Sequence, residues 1–453
     1  MSQTVAEQLA HKIAALTPAD VPDNVRRVVD SLLIDIAGLC VAARGTDYVQ
    51  AAVASWDGEG SCTAIGHARG FDAAGAALVN GVAAHGEDFD DTFEGGPVHA
   101  GAVIVPAVLA AAERHKADGR SALLAIAVGV EVCCRLSTVV PKAVHAAGFH
   151  PTSVWGAMGA TAAVATLRGL APANMVDALG SAASMAGGII EYLAEGAWTK
   201  RLHAGWAAQI GLRAAAFGLN RFTGPRSVFE GTHGMFHGFA HTTKGNYAAL
   251  LDGFGTQWVT ETVAFKPYAC GTMIHPYIDC AVRLAKKGVK ADDIDAIVCE
   301  TAEGIVHRLW EPLATKQAPP NAYSAKFSIP FCLALGFTTG SAGLESFTEA
   351  VAADPKLRAL AARVRYQIDP DNPYPDEFTG HVKVILKNGT IVEERQPHIR
   401  GGAHEPLPRA EIEDKFDRNA AFGGWSPAQR KAFLSFAQGA FDGGPIDLKA
   451  FRA

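Results

Sequence analysis

Charged residues are scarce in this sequence, and long uninterrupted apolar runs are missing. Charged residues make up 19% of the 453 residues, against 49% hydrophobic ones, a balance that excludes a disordered chain. The formal charge of -6 leaves no basic stripe for nucleic acid. A membrane span needs about 18 or more continuous apolar residues, and the best stretch, residues 122–134, is shorter and contains Glu131. Residues 1–16 do not resemble a signal peptide. We expect a cytoplasmic protein that binds neither nucleic acid nor a membrane.

Grouped cysteines are also missing. The eight cysteines lie at positions 40, 62, 133, 134, 270, 280, 299 and 332, with no C-x-x-C pair. This spacing argues against a disulfide framework, a structural zinc site and an iron–sulfur cluster. The spacing of His233, His237 and His241 fits one helical face, but neighbouring glycines weaken that helix and no acid lies among them. We therefore predict no metal and no cofactor.

Helical periodicity dominates residues 1–262. Val5, Leu9, Ile13 and Leu16 recur at three- and four-residue steps, which predicts an amphipathic helix. Several later segments carry Ala or Gly on nearly every turn. Because small side chains let helices approach closely, we expect a tightly packed bundle.

Strand signals begin after residue 262. Residues 294–301 (IDAIVCET) are typical of a strand, and residues 381–386 and 390–394 flank an Asn-Gly turn that predicts a hairpin. Helical segments are expected at about 272–287, 323–337 and 343–353. We predict an α+β domain at 263–397 and a helical return at 398–453, whose last long helix opens at Ser426 and Pro427. The predicted fold is mainly α with α+β.

One acidic segment stands out between two apolar helices. Residues 85–94 read HGEDFDDTFE, and a Gly/Pro loop follows as far as His99. Burying five acids within eight residues is costly unless cations, hydrogen-bond donors or a metal compensate them. Because the flanking segments look buried, we expect this loop at the mouth of a core.

Three further segments carry polar chemistry. GFHPTS at 148–153 places His150 at a helix N-terminus, where an anion is favoured. TKRLHAG at 199–205 contributes two cations and a histidine, and FKPYACG at 265–271 lies at the junction of the two predicted domains. Domain boundaries are common places for small-molecule sites, so we expect one here.

These four segments, taken in their order along the chain, resemble the motifs of the MmgE/PrpD family. That family contains 2-methylcitrate dehydratase, cis-aconitate decarboxylase and iminodisuccinate epimerase. The stretches that carry the resemblance are HGEDFDDT with His99, GFHPTSVWGAMGATAA, WTKRLHAGWAAQ, FKPYACGTMIHPYIDC and AKFSIPF. The resemblance implies a large all-α domain built from both chain ends, a smaller inserted α+β lid domain, a homodimer, and a small di- or tricarboxylate substrate.

The resemblance also implies site residues. Catalytic roles fall on Asp88, His99, His150 and Lys200, and substrate-binding roles on Thr92, Arg201, Lys266 and Cys270. We hypothesise that His150 and His99 form an acid/base pair, because their pKa lies near working pH. Asp88 would orient one of them. Lys200 and Lys266 would bind substrate carboxylates, with Arg201 as a helper, and Thr92 would donate a hydrogen bond.

These residue types suit proton removal next to a carboxylate, because lysines and helix N-termini stabilise the resulting charge. Loss of water then gives a dehydratase, which is our main interpretation. Loss of CO₂ gives a decarboxylase and inversion gives an epimerase. The family's decarboxylases show a His where this chain has Cys270, and the epimerase shows a Tyr at the position of His150. Both differences favour the cofactor-independent dehydratase.

Two other classes of protein stay open. Residues 88–91 spell D-x-D-D and residues 90–94 spell D-D-x-x-E, as in terpene cyclases that use acids for protonation or for Mg²⁺ and diphosphate. Such pockets need aromatic walls, and aromatics are only 8% here. A non-enzymatic helical scaffold would need repeats or a long charged face, and neither is present.

Overall fold

The computed structural model describes residues 3–375 and 377–453. The chain forms two compact units. Unit 1 contains the described residues up to Ala264 together with Arg409–Ala453, and unit 2 is Phe265–Pro408. Both units contain more helix than strand, and each has small sheets of its own. The predicted class, mainly α with some α+β, is therefore confirmed.

The α-helices of both units follow one another in chain order. They are α1 (Val5–Ala14), α2 (Asp23–Ala43), α3 (Asp47–Ala54), α4 (Ala73–His85), α5 (Gly101–His115), α6 (Gly119–Val139), α7 (Ala143–Ala146), α8 (Pro151–Leu167), α9 (Pro172–Met185), α10 (Tyr192–Glu195), α11 (Thr199–Leu219), α12 (Met235–Ala240), α13 (Tyr247–Leu251), α14 (His275–Lys286), α15 (Glu303–Leu309), α16 (Leu313–Gln317), α17 (Ala322–Ala325), α18 (Ile329–Thr339), α19 (Glu349–Ala352), α20 (Pro355–Ala361), α21 (Arg409–Phe422) and α22 (Pro427–Gly439).

The strands form three small sheets. They are β1 (Glu59–Thr63), β2 (Gly70–Phe71), β3 (Thr92–Phe93), β4 (Val263–Ala264), β5 (Ile294–Thr301), β6 (Val364–Ile368), β7 (Gly380–Leu386) and β8 (Ile391–Gln396). In unit 1, β1 pairs with β2 and β3 pairs with β4, both antiparallel. In unit 2, the strand order is β6-β5-β7-β8, and only the β5–β6 pair is parallel.

Helix starts follow cap chemistry that is readable in the sequence. Ser426 accepts a hydrogen bond from the backbone of Gln429 and completes a capping box, as predicted for the last long helix. Asp72 accepts from the Gly75 backbone N–H at 2.7 Å and starts α4. These contacts satisfy donors that would otherwise remain unpaired at the helix ends.

Glycines set the spacing of the helices in unit 1. A Cβ added to Gly205 of α11 would lie 2.2 Å from the Leu78 carbonyl oxygen of α4, and one added to Gly81 would lie 2.6 Å from the Gly205 Cα. A Cβ on Gly159 of α8 would lie 2.6 Å from the Gly129 oxygen of α6. Larger residues would force these helices apart, so the expectation of close packing is confirmed.

The strand predictions for unit 2 are confirmed at β5 and at the β7–β8 hairpin, where Gly389 adopts a φ of 85°. The expected helix at 323–337 is instead two helices, α17 and α18. They separate because the Ser328 hydroxyl accepts from the Phe331 backbone N–H at 3.1 Å and starts α18 afresh. The short strands β1, β2 and β6 had no clear sequence signal.

One helix in the described part of the chain, α6, is long and apolar enough to cross a membrane. Its most apolar 18-residue window is 94% buried within the protein. Such burial is typical of a core helix.

Candidate active site

The crossing of α4 and α11 brings polar ends of helices together. Gly81 and Gly205 touch at the crossing, which places the first turn of α11 beside the last turn of α4. His85 ends α4, and Lys200 lies in the first turn of α11. The acidic loop that follows α4 therefore folds against the start of α11.

Asp88 pairs with Lys200. The Asp88 carboxylate contacts the Lys200 ammonium, and the side chains are 8% and 16% exposed. Asp88 has a φ of 57°, in the left-handed region that Asp tolerates better than most residues. The loop thus adopts an unfavourable backbone conformation at the residue whose carboxylate meets the lysine.

Asp90 is the carboxylate that holds an imidazole. Its Oδ2 lies 2.6 Å from His85 Nδ1, and both side chains are fully buried. Because a carboxylate only accepts, the proton of His85 lies on Nδ1. His85 Nε2 has no hydrogen-bond partner within the described residues. This arrangement fits a neutral imidazole, since an Nε2–H would need a buried acceptor.

Asp91 links the acidic loop to α5 and to His99. Its Oδ2 accepts from the Gly101 backbone N–H at 3.0 Å, at the start of α5. The Asp91 carbonyl oxygen lies 2.6 Å from His99 Nδ1. Because a carbonyl only accepts, His99 carries a proton on Nδ1, and in the neutral ring Nε2 is the atom that can take a proton.

His150 and His203 form a buried imidazole pair. Their Nδ1 atoms are 3.1 Å apart, so one ring donates and the other accepts. The His150 ring also stacks on His85 with centroids 5.5 Å apart, and Tyr192 lies 5.9 Å from His150 and 5.8 Å from His203. The His85 ring lies 5.1 Å from His99. The four imidazoles therefore form one cluster, which we call the histidine cluster: His85, His99, His150 and His203.

Burial keeps three of these rings neutral at physiological pH. Burial, partly offset by Asp90, lowers the pKa of His85 to about 3. Burial and the nearby Lys200 lower the pKa of His203 to about 4. Burial, together with the neighbouring imidazoles, holds the pKa of His150 well below its usual range. The expectation that the pKa of His150 lies near working pH is therefore wrong for this structure, because burial lowers it. The neutral ring can still accept a proton directly, but the lowered pKa makes it a weaker base.

Three helix N-termini point toward the histidine cluster. His150 is the N-cap of α8, His99 lies two residues before α5, and Lys200 is the second residue of α11. The His150 side chain does not cap its own helix. Helix N-termini present backbone N–H groups and partial positive charge. The arrangement thus favours an anion such as a carboxylate beside the imidazoles.

Two residues of unit 1 that were expected to bind the substrate, Thr92 and Arg201, contact other parts of the protein. Thr92 is buried in β3, where it pairs with Ala264. The Arg201 guanidinium lies over the Tyr48 ring, 4.2 Å from its centroid, and the Tyr48 hydroxyl donates to Glu87 at 2.9 Å. The substrate-binding roles of Thr92 and Arg201 stay predictions.

Lys266 and Cys270 lie in unit 2. Both are buried, and the Cys270 carbonyl oxygen is 3.2 Å from His275 Nε2. Their roles as substrate ligands stay predictions from the family resemblance.

Sequence reasoning missed His85, Asp90, His203 and Lys415. His203 follows Lys200 by three residues, so it lies on the same face of α11, and this spacing could have signalled its role. His85 and Asp90 lie inside the acidic segment, but only the fold decides which acid meets which imidazole.

Lys415 had no sequence signal, because it comes from α21 near the end of the chain. Its Nζ lies 2.7 Å from Asp35 Oδ1 and donates to the Phe89 carbonyl at 2.7 Å. The Lys415 side chain is only 3% exposed. It therefore supports the acidic loop from the side of α2.

The acids of the D-x-D-D pattern are engaged in ways unlike a diphosphate site. Asp88 pairs with Lys200, Asp90 with His85, and Asp91 with the start of α5. These contacts match proton-transfer and anion-binding chemistry better than the terpene cyclase alternative.

Comparison with known proteins covers both units. Residues 7–248 match the MmgE/PrpD N-terminal domain, and residues 268–435 match the MmgE/PrpD C-terminal domain. A cis-aconitate decarboxylase of Mus musculus is 28% identical over 445 residues, covering 93% of this chain and 88% of the mouse protein. The Homo sapiens cis-aconitate decarboxylase is 30% identical over 364 residues, covering 76% and 72%. A cis-aconitate decarboxylase of Aspergillus terreus is 26% identical over 444 residues, covering 91% and 88%.

Proposed function

This chain belongs to the MmgE/PrpD family, and we therefore propose that it is a lyase acting on a small di- or tricarboxylate. The observation that carries the proposal is the histidine cluster, in which His85, His150 and His203 are buried and neutral, beside the Asp88–Lys200 pair and three helix N-termini. This set can bind a carboxylate and exchange a proton with the carbon next to it.

The positively charged groups of the site bind the substrate. Lys200 provides a positive charge, and the starts of α5, α8 and α11 provide backbone dipoles of the same sign. Negative charge that develops on a substrate carboxylate is stabilised by such fixed groups in a site shielded from water. Asp88 holds the Lys200 ammonium in position before substrate arrives.

His150 and His99 transfer the proton to and from the substrate. His150 is buried and neutral, and its contact with His203 at 3.1 Å provides a route by which a proton can be shared between two rings. His99 is held through Nδ1 by the Asp91 carbonyl, which directs Nε2 away from that contact. Two imidazoles in different settings can divide the acid and base roles.

Decarboxylation is the branch that the relatives favour, because their names describe cis-aconitate decarboxylases. In that branch, the bond between carbon and CO₂ breaks and its electron pair delocalises into a conjugated carboxylate. An imidazole N–H then delivers a proton to carbon.

Dehydration, as in 2-methylcitrate dehydratase, is the second branch. Here one imidazole removes a proton next to a carboxylate, and a second protonates the leaving hydroxide. His150 and His99 lie in different settings and suit this division, and Cys270, at a position where the family's decarboxylases have a His, also favours dehydration. Inversion by an iminodisuccinate epimerase route would need only reprotonation on the opposite face.

NMR of a substrate panel separates these branches. We expect the protein to convert cis-aconitate, 2-methylcitrate, citrate or iminodisuccinate, with loss of CO₂, loss of water or inversion read directly from the product. His150→Ala and His99→Ala should both lose activity, and His233→Ala, an exposed histidine outside the cluster, should retain it. Near-wild-type turnover by both cluster variants would contradict the assignment.

The family resemblance also leads us to propose a homodimer. Light scattering on the purified protein should give a mass of twice 47.4 kDa. A monomeric mass at micromolar concentration would contradict this proposal.

A further inference from the structure

Unit 2 contains a second group of imidazoles, in the segment that follows β8, and a carboxylate from the β6–β7 connection lies beside them. His398 and His404 stack with ring centroids 4.5 Å apart and an interplanar angle of 28°. The Glu377 carboxylate lies 3.3 Å from His398 Nδ1 and 3.9 Å from His404 Nε2. One ligand atom from each of the three residues lies within 4.8 Å of the others. From this geometry we propose a binding site for a divalent transition-metal ion, which we call the loop metal site.

The distances suit a tetrahedral ion. With metal–ligand bonds of about 2.0 Å, neighbouring ligand atoms of a tetrahedron lie about 3.3 Å apart. His398 Nδ1 already lies 3.3 Å from Glu377 Oε2. His404 Nε2 lies 3.9 Å from the other oxygen, Oε1, so the His404 ring must move for all three side chains to bind one ion. His404 is 59% exposed, so its ring can rotate into place. The fourth position is left for water.

The backbone between the two histidines is already fixed. Gly401 has a φ of 95°, and its N–H donates to the Glu405 carbonyl at 2.7 Å. This left-handed residue reverses the chain, which is why rings six residues apart can stack. The buried Gln396 amide donates to the His398 carbonyl at 2.8 Å and to the Glu405 carboxylate at 2.7 Å. Metal binding therefore needs little ordering of this loop.

Among the described residues, the cation that lies between the two histidines in the chain is itself paired. The guanidinium of Arg400, between the two histidines, lies 2.9 Å from the Asp279 carboxylate. This contact compensates its positive charge. Glu377 adds a negative charge that faces both rings. The loop metal site thus combines two imidazole nitrogen ligands with one carboxylate oxygen ligand.

The donor set selects the class of ion. Imidazole suits Zn²⁺, Cu²⁺, Ni²⁺ and Fe²⁺, whereas Mg²⁺ and Ca²⁺ prefer oxygen ligands alone. The ion would join the β6–β7 connection to the segment after β8, so the expected role is to stabilise unit 2. The loop metal site is independent of the proposed lyase chemistry, because none of its residues belongs to the histidine cluster.

Binding of Zn²⁺ to the full chain tests the proposal. We expect one equivalent of Zn²⁺ in equilibrium dialysis at micromolar concentrations, no binding of Mg²⁺, and a rise in Tm that EDTA reverses. His404→Gln should weaken binding at least about 10-fold, and His398→Gln/His404→Gln should abolish this equivalent. Glu377→Gln keeps the size of the side chain and should also weaken binding.

Two controls separate the loop metal site from other ligands. His233 and His237 are an exposed pair with centroids 5.9 Å apart, so His233→Gln/His237→Gln should leave the isotherm unchanged. Zn²⁺ bound by the histidine cluster or by buried cysteines would persist in the His398→Gln/His404→Gln variant. X-ray absorption should give only nitrogen and oxygen neighbours at about 2.0–2.1 Å. Identical Zn²⁺ isotherms for the wild type and a folded His398→Gln/His404→Gln variant would overturn the proposal.

Discussion

Unit 1 and unit 2 each contain a group of imidazoles with carboxylates, but they differ in burial. In the histidine cluster, His85 and Asp90 are fully buried, and burial lowers the pKa of His85 and His203. In the loop metal site, His398 and Glu377 are 38% and 36% exposed. Burial therefore makes similar side chains into neutral proton carriers in one unit, while exposure leaves them open to an ion from solvent in the other.

The largest expected effect is on kcat, which a substitution in the histidine cluster should lower and a substitution in the loop metal site should not. His150→Gln should lower kcat by about 10³-fold, because a general acid or base contributes roughly 10²–10⁴-fold. His398→Gln should change kcat by less than about 2-fold, since it lies outside the proposed chemistry. Steady-state kinetics on the substrate found by NMR checks both. A similar loss in the two variants would remove the functional contrast.

Lys200 is expected to have the next largest effect. Lys200→Met removes the cation beside Asp88 and should lower kcat/KM by about 10²–10³-fold, since charge stabilisation by one group is worth roughly that much. Lys200→Arg should recover part of the loss. Lys244→Met, which removes an exposed lysine, is the matched control. Unchanged kcat/KM in Lys200→Met would contradict its role.

Removing the charge of Asp90 should lower kcat, whereas removing the charge of Glu377 should not. Asp90→Asn removes the charge that holds His85 in the Nδ1–H form and should lower kcat by about 10²-fold with a small change in KM. Glu377→Gln should leave kcat unchanged and affect only metal binding. We treat Asp90 as a positioning residue, so the pH profile of kcat should shift in Asp90→Asn. An identical profile would indicate a purely structural role.

Lys415 tests whether the distant C-terminal segment supports the histidine cluster. Lys415→Met leaves the Asp35 charge buried without its cation and should lower the free energy of unfolding by about 3–5 kcal/mol. Lys415→Met/Asp35→Asn should recover much of that loss. Lys431→Met, at an exposed position in α22, should cost less than about 0.5 kcal/mol. Urea denaturation gives all three values, and equal costs for both lysines would contradict the account.

Acid stability measures the burial of His85 directly. The folded pKa of His85 is lowered to about 3, below its unfolded value of about 6.5. The unfolded state therefore binds more protons between these values. This contribution to stability is complete above about pH 6.5 and is lost as pH falls, by about 1.4 kcal/mol per pH unit for one group.

The variant His85→Gln isolates this contribution. The difference in unfolding free energy between the wild type and His85→Gln should shrink as pH falls from 6.5 to 4. Urea titrations at half-unit steps measure it. A constant or growing difference would mean that His85 is charged in the folded protein.

Sequence patterns predicted much of the fold because local rules decide it. The Asn388–Gly389 turn, the Ser426 cap and the glycines of α4 and α11 each act within a few residues or along one helix face. Chemistry and sequence order named His150 and Lys200 as candidate site residues, and their roles stay predictions. The pairing of Asp90 with His85 depends on a loop conformation, and the contact of Lys415 with Phe89 joins residues 326 positions apart. No local pattern carries that information.

Turnover in D₂O tests the central claim, that neutral buried imidazoles of unit 1 exchange a proton with a substrate carbon. The account predicts that the wild type places deuterium on carbon in the recovered product or substrate, as read by NMR. His150→Gln should slow this incorporation by about 10³-fold, and His233→Gln should match the wild type. Equal incorporation by His150→Gln would contradict the account, and so would loss of CO₂ or inversion that leaves no deuterium on carbon. If the reaction is loss of water, the test is the reverse hydration in D₂O, which must place deuterium on the same carbon.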